Sequence, residues 1–324
     1  MIGSMRQTIL VTGGAGFIGS HTAEALLALG HDVSILDNSD PYYPIRLKQY
    51  NVSRLEDKGL KHNFSVDILQ KTDLEDVFSQ LHPDVVIHLA AKAGVRNSVE
   101  HPAEYVDVNV QGTVHIMDMA RKYQTKKLMM ASSSSVYGDN TKIPFSEEDI
   151  VESQVSPYAG SKRAMEVIAK TYARVYGLPI QLFRFFTVYG PSGRPDMAPM
   201  LFTKAIDQHK EISVFGGTTS RRDYTYIDDI VAGLIGALDV DDQFEIYNLG
   251  NSTPVSLQEF IDTIAKVLQK KPKLSLTAKR VGDVEETWAD ITKAKKAFGY
   301  TPKHSLEQGL QKTIDWYLSH KDLY

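Results

Sequence analysis

Tyr158 and Lys162 stand four residues apart in "SPYAGSKRAMEVIAKTYARVYG", a spacing that puts a phenol and an ammonium on one helix face. Ser156 suits the N-cap of that helix and Pro157 its first turn, so Tyr158 lies at the helix start. A phenol with a reference pKa of about 10 is mostly protonated at neutral pH. A neighbouring ammonium and the positive end of the helix dipole both favour the phenolate, which would make Tyr158 a base for an alcohol proton. Tyr and Lys also meet at this spacing by chance, so the pair carries weight only in company. "ASSSSVYG", closing the apolar run 127–134, supplies that company, because one of its serines could hydrogen-bond the same substrate hydroxyl.

"VTGGAGFIGS" places Gly13, Gly14, Gly16 and Gly19 between an apolar run and a helical pattern, satisfying both G-x-G-x-x-G and G-x-x-G-x-x-G. Glycines there let the backbone turn tightly and approach a pyrophosphate, whose charge then lies on a helix N-terminus. A run ending in Asp37 follows 18 residues after Gly19. A carboxylate at that place accepts from ribose hydroxyls and repels a 2′-phosphate, favouring NAD over NADP. A ligand-free glycine turn is the alternative, and the flanking elements and Asp37 weigh against it. Asp67, in "FSVDIL", reads either as a contact to the adenine end or as a solvated helix cap.

The elements that must hold these groups alternate. "TILVTGG", "DVSILD", "DVVIHLAA", "KLMMASSS" and "PIQLFRFFTV" read as strands, with helical patterns at 17–29, 72–81, 101–123 and 157–176 between them. That rhythm predicts an α/β chain built on a Rossmann-type doubly wound parallel sheet. After residue 190 it changes to helices near 199–209, 228–239, 256–270 and 305–319, separated by short strands such as "ISVF" and "EIYNLG". Residues 1–190 are therefore expected to form the dinucleotide-binding domain. Residues 191–324 are expected to form a smaller mixed α/β substrate domain, with a soft boundary that strands and helices cross.

Composition removes whole classes. The chain has 324 residues, 42% of them apolar, which is enough for a sizeable core. A net charge of -4 gives no basic excess for nucleic acid or an anionic membrane. There is no cysteine, so disulfides, thiolate metal sites and a cysteine nucleophile are excluded together. The ten histidines show no metal-ligand spacing, and no metal is expected; His88, inside a strand pattern, reads as a core histidine. "MIGSMRQTILVTGG", with Met5 as a second candidate start, runs straight into a strand without a signal-peptide core. A cytoplasmic location is the expectation.

Taken together, "TGGAGFIG", "SSSSVYG", "YAGSK" and "RRDYTYIDDI" resemble the extended short-chain dehydrogenase/reductases, the nucleotide-sugar epimerases and dehydratases, from residue 8 almost to the end. The resemblance implies Ser133, Tyr158 and Lys162 as the catalytic set, with Lys162 also binding the nicotinamide ribose and lowering the tyrosine pKa. It implies that Gly13, Gly16, Phe17, Ile18 and Gly19 cradle NAD, and that Asp37, Asp67 and Ile68 meet its adenosine half. Lys92, Asn109, Phe185 and Val188 match positions lining the nicotinamide end. Val214, Phe215, Arg222, Arg280 and Asp283 match the group that holds a nucleoside diphosphate, so the implied partner is a UDP-sugar. A homodimer paired through the helices at 101–123 and 157–176 is implied in the same way.

Family members share a first step, oxidation of the sugar at C4 to a 4-keto intermediate. Members that eliminate water carry "DE" after the catalytic hydroxyl, and members that decarboxylate carry Glu before "VYG". Here Ser134 and Ser135 occupy those places, and neither hydroxyl is a competent acid or base at neutral pH. Epimerisation is what remains. "FFTVYGPSGRPDM" resembles the corresponding segment of UDP-glucuronate 4-epimerases, although Ser192 replaces a common Trp. Thr187, Ser134, Ser135 and Arg194 would suit a C6 carboxylate better than a neutral hydroxymethyl group. The expectation is NAD-dependent conversion of UDP-glucuronate to UDP-galacturonate. UDP-glucose 4-epimerase or UDP-glucuronate decarboxylase on the same fold, and a non-catalytic NAD-binding regulator, are the alternatives.

Overall fold

The structure is a computed structural model that describes residues 6–278 and 286–324. Its first half lays down β1 (Thr8–Thr12), β2 (Asp32–Leu36), β3 (His62–Phe64), β4 (Val85–His88), β5 (Lys127–Ser133) and β6 (Ile180–Phe185). The second half adds β7 (Thr187–Tyr189), β8 (Glu211–Phe215), β9 (Arg221–Tyr226), β10 (Phe244–Leu249), β11 (Pro254–Ser256), β12 (Lys273–Thr277) and β13 (Glu286–Thr287). Seven strands form one parallel sheet in the order β10-β6-β5-β4-β1-β2-β3.

Helices cover both faces, which is why these strands are apolar throughout rather than alternating. Ile9, Val11, Ile35, Ile87, Met129 and Phe183 point to one face, against Ala23, Leu26, Ile230 and Leu234. Leu10, Leu36, Val86, Leu128, Met130 and Leu182 point to the other, against Leu74, Phe78, Ile116, Met165 and Ala169. The two-residue period of a strand sorts neighbouring side chains into opposite cores. Strand order reverses between β1 and β4, and the crevice at such a switch point lies beyond the carboxyl ends of the strands.

Three local features differ from the sequence reading. The run at 179–188 is two strands, because the chain leaves the main sheet at Phe186, and β7 pairs with β9 in a four-stranded sheet with β11 and β13. The helix expected at 101–123 is broken into Pro102–Val106, a π-helical turn Asp107–Gly112, and Thr113–Lys122. Helix Ile45–Glu56 gave no clear apolar signal, since two of its four buried residues, Lys48 and Asn51, are polar. β10, drawn from beyond residue 190, pairs with β6 at the end of the main sheet. A smaller two-stranded sheet pairs β8 with β12. No helix among the described residues is long and apolar enough to cross a membrane.

Candidate active site

The carboxyl ends of β1, β2, β4, β5 and β6 open onto one cleft of about 540 Å³. Its floor begins at the glycine turn. Gly13 has φ +68, and a Cβ there would lie 2.7 Å from the Ala90 amide nitrogen; one on Gly19 would lie 2.2 Å from the Gly13 carbonyl oxygen. Both positions therefore require glycine. Gly16 is the N-cap of helix Phe17–Ala28, with no side chain capping it and no acidic residue in the first turn. The helix end thus offers unengaged amides to an anion with no carboxylate in competition.

Asp37 closes the adjoining wall. Its Oδ1 accepts from the Ser39 amide at 2.8 Å and from Lys48 Nζ at 3.1 Å. Asp67 also reaches the cleft, with Oδ1 accepting from the Leu69 amide and Oδ2 from Asn38 Nδ2, both at 2.8 Å. It closes a turn and does not cap the following helix, whose N-cap is Gln70. Anion-ready amides, the buried Asp37 carboxylate and the apolar Ile18, Ile68 and Val188 in one wall fit a dinucleotide.

Helix Pro157–Tyr176 starts as expected: Ser156 Oγ accepts from the Ala159 amide at 3.2 Å, and Pro157 is its first residue. Tyr158 and Lys162 face the cleft together with Ser133, Ser134 and Ser135. Ser133, the last residue of β5, accepts from the Ser135 amide and donates to the Ser135 hydroxyl, both at 3.2 Å. Burial pushes the Tyr158 phenol above its ordinary value, while the Ser133 hydroxyl and the Arg194 charge pull it back.

Lys162 Nζ donates to the Ala131 carbonyl at 2.8 Å, and the Arg194 charge adds a further pull on the phenol. Burial lowers Lys162 itself to about 8, with Glu166 opposing. Between pH 8 and the unfolded value near 10.5, the unfolded chain holds one more proton than the folded one, so stability rises with pH in that window. Denaturant titration should find Lys162→Met more stable than the parent at pH 7, with the difference shrinking by on the order of 1–2 kcal/mol at pH 9.5.

Arg194 comes from the loop after β7. Its guanidinium grips Asp196 in a fork, Nε to Oδ1 at 3.0 Å and Nη2 to Oδ2 at 2.6 Å. Nη2 also donates to the Ala93 carbonyl at 3.3 Å, and the group lies 5.4 Å from the Tyr42 ring centroid. Thr187, Phe185 and Lys92 complete the same wall.

Not every expected residue is there. Asn109 sits behind the wall: its Oδ1 accepts from the Lys92 amide, and its Nδ2 donates to the Lys92 carbonyl and to Ser161 Oγ. It therefore positions Lys92 and does not line the cleft. Val214 is buried among Ile212, Tyr224 and Tyr226, and neither it, Phe215 nor Arg222 reaches the cleft wall. Arg280 and Asp283 lie outside the described residues. His88 is a core histidine, bonded to Thr12 at 2.7 Å and Thr113 at 3.0 Å, and burial holds it at about 3. Among the described residues no three His, Asp or Glu side chains converge to hold a metal. Lys48, Asn51, Tyr42 and Tyr105 were not anticipated. The i, i+3 spacing of Lys48 and Asn51 was visible but indistinguishable from a solvated helix face.

Residues 9–250 match the NAD dependent epimerase/dehydratase family. The chain belongs to this family. A UDP-glucuronate 4-epimerase of Thermodesulfobacterium geofontis is 41% identical over 308 residues, 95% of each chain. UDP-glucuronate 4-epimerase 2 of Arabidopsis thaliana is 42% identical over 333 residues, covering 97% of this chain and 76% of its own. Among solved structures, a UDP-glucuronic acid 4-epimerase from Bacillus cereus, in complex with UDP-glucuronic acid and NAD, superposes with TM-score 0.91 at 35% identity, covering 98% of this chain and 99% of the other. Ser134 and Ser135 line the same cleft as Tyr158, and neither hydroxyl is a competent acid or base at neutral pH.

Proposed function

We propose that this protein interconverts UDP-glucuronate and UDP-galacturonate by inversion at C4, using NAD that is regenerated in each cycle. The observation that carries the reading is the Arg194 fork. It already holds a carboxylate bidentately, on the wall that Tyr158, Ser134, Ser135 and Thr187 share. A C6 carboxylate is the substrate group that would take Asp196's place. The 41% identical relative and the B. cereus complex support the same substrate.

The glycine turn and Asp37 would hold NAD, which supplies a hydride acceptor for C4 and a positive ring beside the phenol. Tyr158 accepts the 4-OH proton, and Ser133 holds the same oxygen. The resulting 4-keto hexuronate is a β-keto acid, which loses carbon dioxide when its C5–carboxylate bond aligns with the ketone π system. Hydrogen bonds from Arg194, Thr187 and the two serines fix the carboxylate out of that alignment. Tyr158 then returns the proton after the sugar presents its other face.

Incubation of the pure protein with NAD and UDP-glucuronate should yield UDP-galacturonate resolved from UDP-pentoses; pentose alone, or no turnover, would sink the proposal. Arg194→Ala should lower kcat/KM for UDP-glucuronate relative to UDP-glucose by about ten- to a hundredfold, the scale of a charge-assisted bond, and raise the pentose fraction. A second reading, UDP-glucose 4-epimerase, is favoured by the same Asp196 pair, since a neutral C6 would leave that pair intact. Equal handling of both sugars by parent and variant selects it.

We propose further that two copies pair through the helices within 101–123 and 157–176, where Val106, Val167 and Val175 are exposed. Residues 191–324 are assigned the nucleotide-sugar side of the reaction.

A further inference from the structure

Arg194 lies in a loop that is tied down at the two residues before it. Ser192 is 2% exposed and has φ +58, an unfavourable conformation for a residue with a Cβ. Its Oγ donates to Asn51 Oδ1 at 2.7 Å. Asn51, 1% exposed, donates from Nδ2 to the Ala15 carbonyl at 2.9 Å. That carbonyl belongs to the peptide whose amide is Gly16's, at the head of the helix that faces the dinucleotide, and the Gly16 amide itself donates to Gly13. Next in the loop, the Gly193 carbonyl accepts from Tyr324 Oη at 2.8 Å.

One face of helix Ile45–Glu56 thus touches both ligand sites. Lys48 holds Asp37, and Asn51, three residues on, holds Ala15 with one end of its amide and Ser192 with the other. Leu47 packs in a cluster with Met200, Tyr317 and Tyr324, so the helix and the loop's second anchor share one apolar patch. No other described side chain bridges the glycine turn and the Arg194 loop with two buried hydrogen bonds. An amide suits the task because it carries an acceptor and a donor on one rigid plane. Leaving either buried partner unmatched is costly, so the chain resists separation at either joint.

We infer that Asn51 and Ser192 are positioning residues that couple dinucleotide binding to recognition of the sugar carboxylate. The inference rests on the proposed role of Arg194 and adds a mechanism to it. Ordering of the Ala15–Gly16 peptide by a pyrophosphate is passed through Asn51 to the backbone two residues before Arg194. The reverse holds equally, because coupling between two bound ligands is reciprocal.

The test measures NAD affinity of the full chain by titration, alone and with saturating UDP-glucuronate or UDP-glucose. In the parent, UDP-glucuronate should tighten NAD several-fold more than UDP-glucose does. Ser192→Gly removes the hydroxyl and relieves the positive φ, which offsets part of the cost of leaving Asn51 Oδ1 unmatched. Ser192→Ala removes the same hydroxyl and keeps the Cβ. Both should cut the extra tightening by about three- to tenfold, with NAD affinity measured alone little changed. Both should raise KM for UDP-glucuronate and leave kcat for UDP-glucose as it was. Tyr324→Phe, which frees only the Gly193 carbonyl, should weaken UDP-glucuronate binding without touching the coupling. Unchanged coupling in both Ser192 variants, or none in the parent, overturns the inference. A parent that neither binds nor converts UDP-glucuronate instead overturns the reading of Arg194 on which it stands.

Discussion

Replacing Tyr158 by Phe should lower kcat with UDP-glucuronate by about a hundred- to ten-thousandfold while NAD affinity and thermal stability stay near those of the parent. In the proposed reaction the phenol exchanges a proton with the 4-OH, and Phe preserves its ring contact with Tyr105, whose centroid is 6.1 Å away. Burial keeps the phenol protonated well past neutrality in the ligand-free chain, so the reactive form depends on positive charge. Arg194 supplies one such charge, and Lys162, at about 8, faces the same cleft. Product formed in deuterated water should carry no deuterium at C4, because the hydride is lent and returned inside the cleft. A Tyr158→Phe protein that turns over at more than a tenth of the parent rate would remove the base from this scheme.

The largest effect on stability should come from Glu166. Its carboxylate, 1% exposed, accepts from Arg184 Nε at 2.9 Å, Arg184 Nη2 at 2.8 Å and Ser132 Oγ at 2.6 Å. Burial alone would raise this carboxyl, but Arg184 overcomes it and holds the group below its ordinary value. Arg184 itself is 1% exposed and lies 4.8 Å from the Tyr137 ring centroid. Glu166→Ala would leave a buried guanidinium without its counter-charge, costing about 3–5 kcal/mol. For a chain of this size that lowers Tm by roughly 5 °C. Glu166→Leu combined with Arg184→Met should recover most of the loss, which a heat-denaturation series checks. The pH sign follows from the lowered carboxyl: the pair's contribution is complete above the unfolded value of 4.5 and is lost as pH falls through the folded one. Ser132 neighbours Ser133, and Glu166 supports the charge on Lys162, so the single variant should also slow turnover.

The parts of the molecule that repeat a physical rule were readable in the sequence. Strands buried on both faces betray themselves by unbroken apolar runs, and Ser156-Pro157 marks a helix start through the chemistry of an N-cap. Gly13 and Gly19 were readable because a close backbone approach restricts the residue type. Arg194 was found through its loop, but its Asp196 partner was not, because two residues of spacing in a loop carries no periodic signal. Helix Ile45–Glu56 stayed hidden for a related reason. Its inward face is half polar, so a pattern sought in apolar residues passes over Lys48 and Asn51. Asn109 was recognised as belonging near the cofactor, yet its amide works on the Lys92 backbone, a distinction that needs coordinates.

β10 enters the parallel sheet only after the chain has left it for some sixty residues, and it then forms the outer rail beside β6. A fragment stopped at residue 190 would leave β6 paired on one side only and expose its other edge along Ile180–Phe185, and an open strand edge recruits other chains. Helix Ile227–Gly236 would be missing too, uncovering Ala23 and Leu26. Synthesis must therefore run past Leu249 before the first-made half can close, and the polypeptide laces its two halves together instead of joining them by a single tether.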